Sequence, residues 1–356
     1  MKILLTGMTG ILGSHIISSL SLYHEVYALV RNASQRVDKF SRLGVPLDHI
    51  FEGDLEKESL GLSGTALSSL KSADIDMILH GASSVKFDDK YYSRTLNINK
   101  GGTERIINLS KKLNIKDLHF VSTAYAPFQR NPYEISKMAA EKSVMNSGLS
   151  YNIYRLGVVV GERKSCAING FNGFYGYAMI PYFIAKSFRQ RKKNSGIVEL
   201  PISVSCSFTS TINIVPVDWV VSQLLSLISL GTFGEIYYIT HPKPPLTSWV
   251  LKAIFDYLNI NGVNYVDSHS VLPVNKDYGN GYLQKLFDKQ TRIFLPYLTQ
   301  EEVFDVSSTV SRLGLQYEAP EIVTKQWIYG LLSFASLQNF GRQKMVTAKT
   351  REPTAA

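Results

Sequence analysis

Two cysteines in 356 residues, Cys166 and Cys206, are too few for a disulfide framework. Their scarcity excludes a small fold stapled by disulfides and fits a reducing compartment, so a cytoplasmic location is expected. Both read as buried, inert thiols, since neither has the histidine context of a nucleophile. Seven histidines are present but never at metal-ligand spacing, and no metal is expected. Long apolar runs are also missing. The longest, Ile212 to Leu230, is broken by Asp218 and Gln223 and reads as a buried strand and helix, so no transmembrane segment is expected. The first apolar stretch is short and runs into glycines, unlike a signal peptide. No basic stripe interleaved with aromatics occurs, so nucleic acid is not an expected partner.

What is present begins at the first residue. Met-Lys-Ile-Leu-Leu-Thr-Gly-Met-Thr-Gly-Ile-Leu-Gly is an apolar strand, a glycine turn and the start of an apolar-patterned helix. Gly7, Gly10 and Gly13 give G-x-x-G-x-x-G, a dinucleotide-binding spacing. Gly7 permits the tight turn, Gly10 the approach of a pyrophosphate to the helix start, and Gly13 close helix packing. A net charge of +9 fits solubility, or an anionic ligand such as a phosphorylated cofactor, coenzyme A or an acidic carrier protein.

Strand-like runs at 2–6, 25–30, 49–52, 77–80, 118–122 and 152–156 alternate with helical patterns at 11–22, 96–113 and 133–145. Such alternation predicts an α/β fold, a doubly wound parallel sheet with helices on both faces. After Gly161 the texture changes. Residues 169–183 are rich in aromatics and glycine, Arg189 to Lys193 is a basic knot, and 217–230, 235–240 and 248–258 read as helix, strand and helix. The expected organisation is a dinucleotide-binding domain over 1–161, a smaller substrate lobe over 162–336 with parts returning to the sheet, and a disordered polar tail over 337–356. The aromatic stretch serves as lobe core or as a substrate-facing wall, which as a lid hinged at its glycines would suit an acyl chain. The basic knot is a solvated surface or a dock for coenzyme A phosphates or a carrier protein.

Tyr133 and Lys137 are four apart, on one face of a predicted helix. A lysine beside a phenol is expected to lower its pKa from about 10 and make it a usable proton donor or acceptor. Tyr182 and Lys186 repeat the spacing, so spacing alone decides nothing. The first pair is favoured because it follows Phe-Val-Ser-Thr-Ala at 120–124, a strand that ends in hydroxyls at the ligand-binding edge of such a sheet.

Six motifs in order resemble the extended short-chain dehydrogenase/reductases. They are the glycine turn, Gly53-Asp54-Leu55, Ile78-Leu79-His80-Gly81-Ala82, Asn99-Lys100-Gly101-Gly102-Thr103, Val121-Ser122-Thr123-Ala124-Tyr125, and Tyr133 with Lys137. Three further details are similar to the thioester-reductase and fatty-acyl-CoA-reductase (male-sterility-like) branch: Tyr27-Ala28-Leu29-Val30-Arg31 with Arg36, Asn-Pro-Tyr-Glu-x-Ser-Lys-x-x-Ala-Glu, and Tyr154 to Gly161 followed by Val215 to Val220.

The resemblance implies a Rossmann domain and roles by position. Tyr133 would protonate the substrate oxygen, Lys137 would bind the nicotinamide ribose, and Thr123 would hydrogen-bond the oxyanion. Cofactor contacts would come from Thr6, Gly7, Thr9, Gly10, Ile11, Leu12 and Gly13 in the turn and helix start. Asp54 and Leu55 would border the adenine. Gly81, Ala82 and Ser83 would line the central path, and Ser122, Leu156, Gly157 and Val158 the nicotinamide end. Asn99 would be structural or part of a proton relay, and His80 a packed core residue. Arg31 ends the second strand, where an acidic residue would hold the ribose 2′-hydroxyl of NAD. A guanidinium there suits a 2′-phosphate, with Arg36 and Arg42 assisting, so NADP(H) is the expected cofactor.

Two departures stand out. Only ten residues separate Thr123 from Tyr133, so the pocket is left open or roofed from elsewhere. Leu156 also stands where the family often has proline. The function expected is NADPH-dependent reduction of an acyl thioester, on coenzyme A or a carrier protein, to aldehyde or alcohol, by a chain able to form a homodimer. Two alternatives stay open: an extended reductase, epimerase or dehydratase acting on a carbonyl or nucleotide sugar, and a non-catalytic NADP-binding scaffold or sensor.

Overall fold

The computed structural model describes residues 1–33, 40, 43–192, 196–268, 281–300 and 303–342. Within them the strands are β1 (Lys2–Thr6), β2 (Glu25–Val30), β3 (Ile50–Glu52), β4 (Met77–His80), β5 (Asp117–Thr123), β6 (Ser150–Leu156), β7 (Val158–Val160), β8 (Val198–Cys206), β9 (Ile214–Pro216), β10 (Glu235–Ile239) and β11 (Ile260–Asp267). The helices that matter below are α1 (Ile11–Leu20), α2 (Gly64–Ala73), α3 (Tyr92–Leu96), α4 (Gly102–Lys112), α5 (Pro132–Met145), α6 (Phe174–Lys192), α7 (Val217–Ser229), α8 (Thr247–Tyr257), α9 (Gly281–Thr291), α10 (Leu295–Thr299), α11 (Ser307–Leu313) and α12 (Lys325–Leu337).

Seven strands form one parallel sheet in the order β10-β6-β5-β4-β1-β2-β3. Its strands are continuous apolar runs because both faces are covered. Alternate residues choose the face. Ile3 and Leu5 join α1 and α7 in one core, while Leu4 joins α2, α4 and α5 in the other. The chain travels from β1 to β3, then returns to β4 on the other side of β1. That reversal makes β1/β4 the switch point, where ligands of doubly wound sheets bind. Thr6 is in register with Leu29 and His80, so the strands end level there.

The expected helix over 96–113 is interrupted. α3 and α4 are separated by a π turn, Asn97–Gly101. Its wider turn accompanies an inward Asn99, which is buried and fully hydrogen-bonded.

The second lobe has its own core. β8 alternates buried and exposed residues and pairs in parallel with β11. α6, α8, α9 and α12 pack on it. β10 returns to the main sheet beside β6, so residues from both sides of Gly161 build that sheet. Ordered chain also runs past residue 337, which corrects the start of the expected tail. Phe340 is buried against Phe171, Tyr182 and Phe183. Residues 343–356 lie outside the described residues.

Candidate active site

A cavity of about 760 Å³ opens at the carboxyl ends of β1, β2, β4 and β5. It is lined by Thr6 through Gly13, Arg31, Asp54, Leu55, Gly81 to Ser83, Ser122, Thr123, Tyr133, Lys137 and Leu156 to Val158. The expected site residues thus converge, with two exceptions. Asn99 sits behind the wall, and Arg36, like its neighbour Arg42, lies outside the described residues.

The turn has the shape the glycines require. Gly7 has φ +85°, and a Cβ there would come within 2.7 Å of the Ala82 nitrogen. A Cβ on Gly13 would overlap the Gly7 carbonyl, so the glycine serves contact between helix and turn. α1 starts at Gly10 without a side-chain cap and has no acidic residue in its first turn. Its free N–H groups and dipole therefore face the cavity, a ready anion site.

The loops on either side of Gly7 are tied together. Thr6 Oγ1 accepts from the Ala82 N–H at 3.1 Å and lies 2.6 Å from His80 Nδ1. His80 Nε2 is 3.1 Å from Thr103 Oγ1. Burial, with Lys137 nearby, pushes His80 down to about 3, so the ring is neutral. Asn99 Nδ2 donates to the Ser84 carbonyl at 2.9 Å and to Ser136 Oγ at 2.8 Å, and its Oδ1 accepts from Ser84 N–H at 2.7 Å. Asn99 therefore joins the loop after β4 to α5.

α5 is capped by Asn131, whose side chain accepts from the Glu134 N–H at 3.1 Å. Tyr133, Lys137 and Glu141 follow at four-residue steps along one face. Lys137 is buried, donates to the Val121 carbonyl at 2.5 Å and lies 4.1 Å from the Phe120 ring centroid. Burial pushes its ammonium down to about 7, against the opposing pull of Glu141. The Tyr133 phenol is pushed up by burial, partly offset by its hydrogen bond with Thr123. This corrects the expected lowering by Lys137. A lysine whose own charge is costly to bury does little for a neighbouring phenolate, and the phenol stays in its acid form.

Sequence reasoning missed the polar network behind this pair. Ser122 Oγ donates to Glu141 Oε1 at 2.5 Å, and Arg155 holds both Glu141 oxygens at 3.2 and 2.6 Å. Arg155 also donates to the Tyr238 hydroxyl at 2.6 Å. Ser122 and Arg155 are register partners on β5 and β6, which is why both reach one carboxylate. The signal was the third member of the series 133, 137, 141.

The cavity mouth carries two charges that no motif marked, Arg94 and Glu56, beside Arg31. Arg94 of α3 donates from Nε and Nη2 to the two oxygens of Glu56, both at 3.0 Å. Arg31 Nη1 is 3.7 Å from Glu56 Oε2. All three line the cavity.

The second lobe supplies a largely apolar part of the lining, with Phe174, Ile212, Val250, Leu251, Ile254 and Leu298, among which stand the polar groups of Asn172, Tyr177 and Thr247. The short segment between Thr123 and Tyr133 leaves the roof to the segment around α10. Tyr297 stacks on Phe87 at 5.3 Å, and Phe87 lies 5.9 Å from the Tyr133 ring. Asn131 Nδ2 donates to the Tyr297 hydroxyl at 2.7 Å, and Arg130 lies 4.5 Å from the Tyr297 ring. The aromatic stretch supplies lobe core and cavity wall together, since Phe174 and Tyr177 are buried and line the cavity.

Other candidates fall elsewhere. Lys186 lies over the Tyr182 ring and donates to Asn339 at 2.9 Å, so this second pair supports packing. Arg189 of the basic knot donates to the carbonyls of Gly196 and Leu258, so its guanidinium is engaged within the fold. Lys193 lies outside the described residues. Both cysteines are buried, and burial pushes their thiols up. Among the described residues no group of three or more His, Cys, Asp and Glu is placed to hold a metal, and no helix is long and apolar enough to cross a membrane.

The family model described as "Male sterility protein", an NAD-binding model, matches residues 5–131 and 126–224, more than half of the chain. The chain is 25% identical over 316 residues to "Fatty acyl-CoA reductase wat" of Drosophila melanogaster, covering 70% of this chain and 57% of that protein. It is 34% identical over 204 residues to a linear gramicidin synthase of Brevibacillus parabrevis, covering 46% of this chain and 4% of the synthase. The chain therefore spans little more than half of the first relative and a small part of the second. Among solved structures, the terminal R domain from the myxalamid PKS-NRPS pathway superposes with a TM-score of 0.72 at 21% identity, over 95% of this chain and 91% of that one. The reductase (R) domain of a nonribosomal peptide synthetase from Mycobacterium tuberculosis gives 0.66 at 16% identity, over 95% and 92%.

Proposed function

The chain belongs to the NAD-binding family described as "Male sterility protein", and on that footing we propose that it is an NADPH-dependent reductase of acyl thioesters. The observation that carries this reading is a single cavity with two unlike ends. One is a glycine turn and free helix start flanked by arginine, and the other is a second-lobe wall of aliphatic and aromatic side chains beside Thr123 and Tyr133.

The cavity residues fit a nicotinamide dinucleotide. Gly7 lets the turn press against the Gly81–Ala82 backbone, where a Cβ would clash, and the uncapped start of α1 suits a pyrophosphate. Asp54 and Leu55 would border the adenine, Arg31 would meet a 2′-phosphate, and Lys137 would hold the nicotinamide ribose. Bound NADPH supplies the hydride that reduces the thioester carbonyl carbon. Thr123 and Tyr133 would donate hydrogen bonds to the carbonyl oxygen as its charge develops. The raised phenol favours this role, since Tyr133 keeps its proton until the oxygen becomes basic enough to take it. The resulting hemithioacetal loses thiol as its hydroxyl proton leaves, which gives an aldehyde, and a second hydride would give an alcohol. Lys137 and the Ser122–Glu141–Arg155 network hold the Tyr133 face of α5 against β5, the strand that ends in Thr123.

The apolar wall suits an acyl chain, and either coenzyme A or a carrier protein would present it. Incubation with NADPH and, in turn, an acyl-CoA, a free aldehyde and a nucleotide sugar tests the reading. NADPH oxidation with the thioester and trapping of aldehyde or alcohol are expected; turnover of the nucleotide sugar alone would refute it.

A further inference from the structure

Two guanidiniums at the cavity mouth converge on one carboxylate. Arg31 directly follows β2 and Arg94 lies on α3, sixty-three positions further along the chain. Yet both reach Glu56, Arg94 in a two-point contact at 3.0 Å and Arg31 at 3.7 Å. Glu56 is the least exposed of the three, at 25% against 54% and 66%. Its backbone N–H donates to Asp54 Oδ1 at 3.0 Å, which fixes the carboxylate's root beside the proposed adenine site. The root of Arg94 is fixed as well, because α3 runs into the π turn that Asn99 ties to Ser84 and Ser136.

From this arrangement we infer that Arg94 is the second arm of a phosphate-monoester site shared with Arg31, and that Glu56 is the anion the phosphate replaces. The inference rests on the NADPH reading above and names residues for it that no motif marked. The carboxylate occupies the point where two guanidiniums meet, so it shows that both can serve one anion. An exposed carboxylate pair contributes little, because water screens it and both side chains lose freedom. A phosphate dianion offers three oxygens and twice the charge to the same two forks, and charge-assisted contacts of that kind are the stronger ones. Exchange of Glu56 for phosphate is therefore favourable, and the mouth discriminates by the phosphate.

Two ligands carry such a group in this setting, the 2′-phosphate of NADPH and the 3′-phosphate of coenzyme A. Placement beside Asp54 and Leu55, away from the apolar wall, favours the cofactor. Fluorescence titration of the wild-type chain with NADPH and NADH gives a ratio of Kd values, and Arg94→Gln is expected to reduce that preference for NADPH by about tenfold. Glu56→Gln removes the competing anion and is expected to increase the preference by about threefold. Both positions are exposed enough for the variants to fold, which a melting curve checks.

A wild-type chain that prefers NADH would defeat the NADPH reading itself. A wild-type preference for NADPH that survives Arg94→Gln would defeat this inference alone. Titration with coenzyme A and its 3′-dephospho form separates the two sources. Discrimination there that Arg94→Gln abolishes, with the NADPH ratio untouched, would assign the pair to coenzyme A and overturn the cofactor assignment. Weaker NADPH binding in Glu56→Gln would overturn the competing role given to Glu56.

Discussion

Thr6 Oγ1 lies 2.6 Å from His80 Nδ1, across the seam where the sheet reverses. The neighbours fix which atom donates. Thr103 Oγ1 donates to the Asn99 carbonyl at 2.6 Å, so it accepts from His80 Nε2. The neutral ring has only one N–H, so Nδ1 accepts, and the Thr6 hydroxyl donates to it. The same Thr6 oxygen accepts from the Ala82 N–H. One hydroxyl thus ties the glycine turn to the loop after β4.

Thr6→Val keeps the shape and removes that hydroxyl. It leaves the Ala82 N–H and His80 Nδ1 unpaired, which should cost about 2 kcal/mol. Urea unfolding is expected to show that loss, and NADPH titration a several-fold weaker Kd. An unchanged midpoint would mean that the seam is held by packing alone.

Tyr133→Phe should keep the fold and cofactor binding. Loss of the proposed proton donor is expected to lower kcat by about 10²- to 10⁴-fold. Thr123→Val should lower kcat too, since Thr123 is the other proposed donor to the oxyanion. Wild-type kcat in Tyr133→Phe would remove the phenol from the mechanism.

Lys137 predicts a proton change on cofactor binding. The titratable groups that interact with it are Glu141 and His80, and burial pushes its pKa down to about 7. At about pH 8 the free amine dominates, and ribose hydroxyls together with an anionic cofactor favour the ammonium. Binding should therefore take up a proton, read by calorimetry in buffers of different ionisation enthalpy, and Lys137→Ala should abolish the uptake. Proton release would contradict the assignment. The same shift affects stability. The unfolded chain holds the Lys137 proton up to about 10.5 and the folded chain only to about 7, so this contribution rises with pH between those values.

Glu141→Ala leaves the Arg155 guanidinium without its carboxylate in a mostly buried place. Breaking such a pair from one side should cost about 3–5 kcal/mol. Thermal or denaturant unfolding checks this, and a loss below about 1 kcal/mol would put the pair among surface-like ion pairs.

The legible parts of this chain were those where local pattern and global position agree. Lys2–Thr6, Glu25–Val30 and Met77–His80 match their expected limits, because strands buried on both faces are uninterrupted apolar runs. The cavity gathers nearly all expected residues because they sit at strand ends and one helix face, which the sheet order places together. Long-range features were hidden. Arg94 and Glu56 meet through folding, and Tyr297 reaches Asn131 from 166 positions away. The π turn at Asn97–Gly101 accompanies Asn99 side-chain bonds to Ser84 and Ser136, which no helical periodicity records. The pKa of Tyr133 was misjudged for a related reason: spacing shows a lysine nearby but says nothing of how dry the site is.

The central claim is that the bond broken joins acyl carbon to sulfur. Thiol released and NADPH consumed, followed together with an acyl-CoA or pantetheine thioester, test it most directly. One thiol per NADPH is expected if the product is aldehyde, and one per two if it is alcohol. NADPH consumption without thiol release would contradict the account.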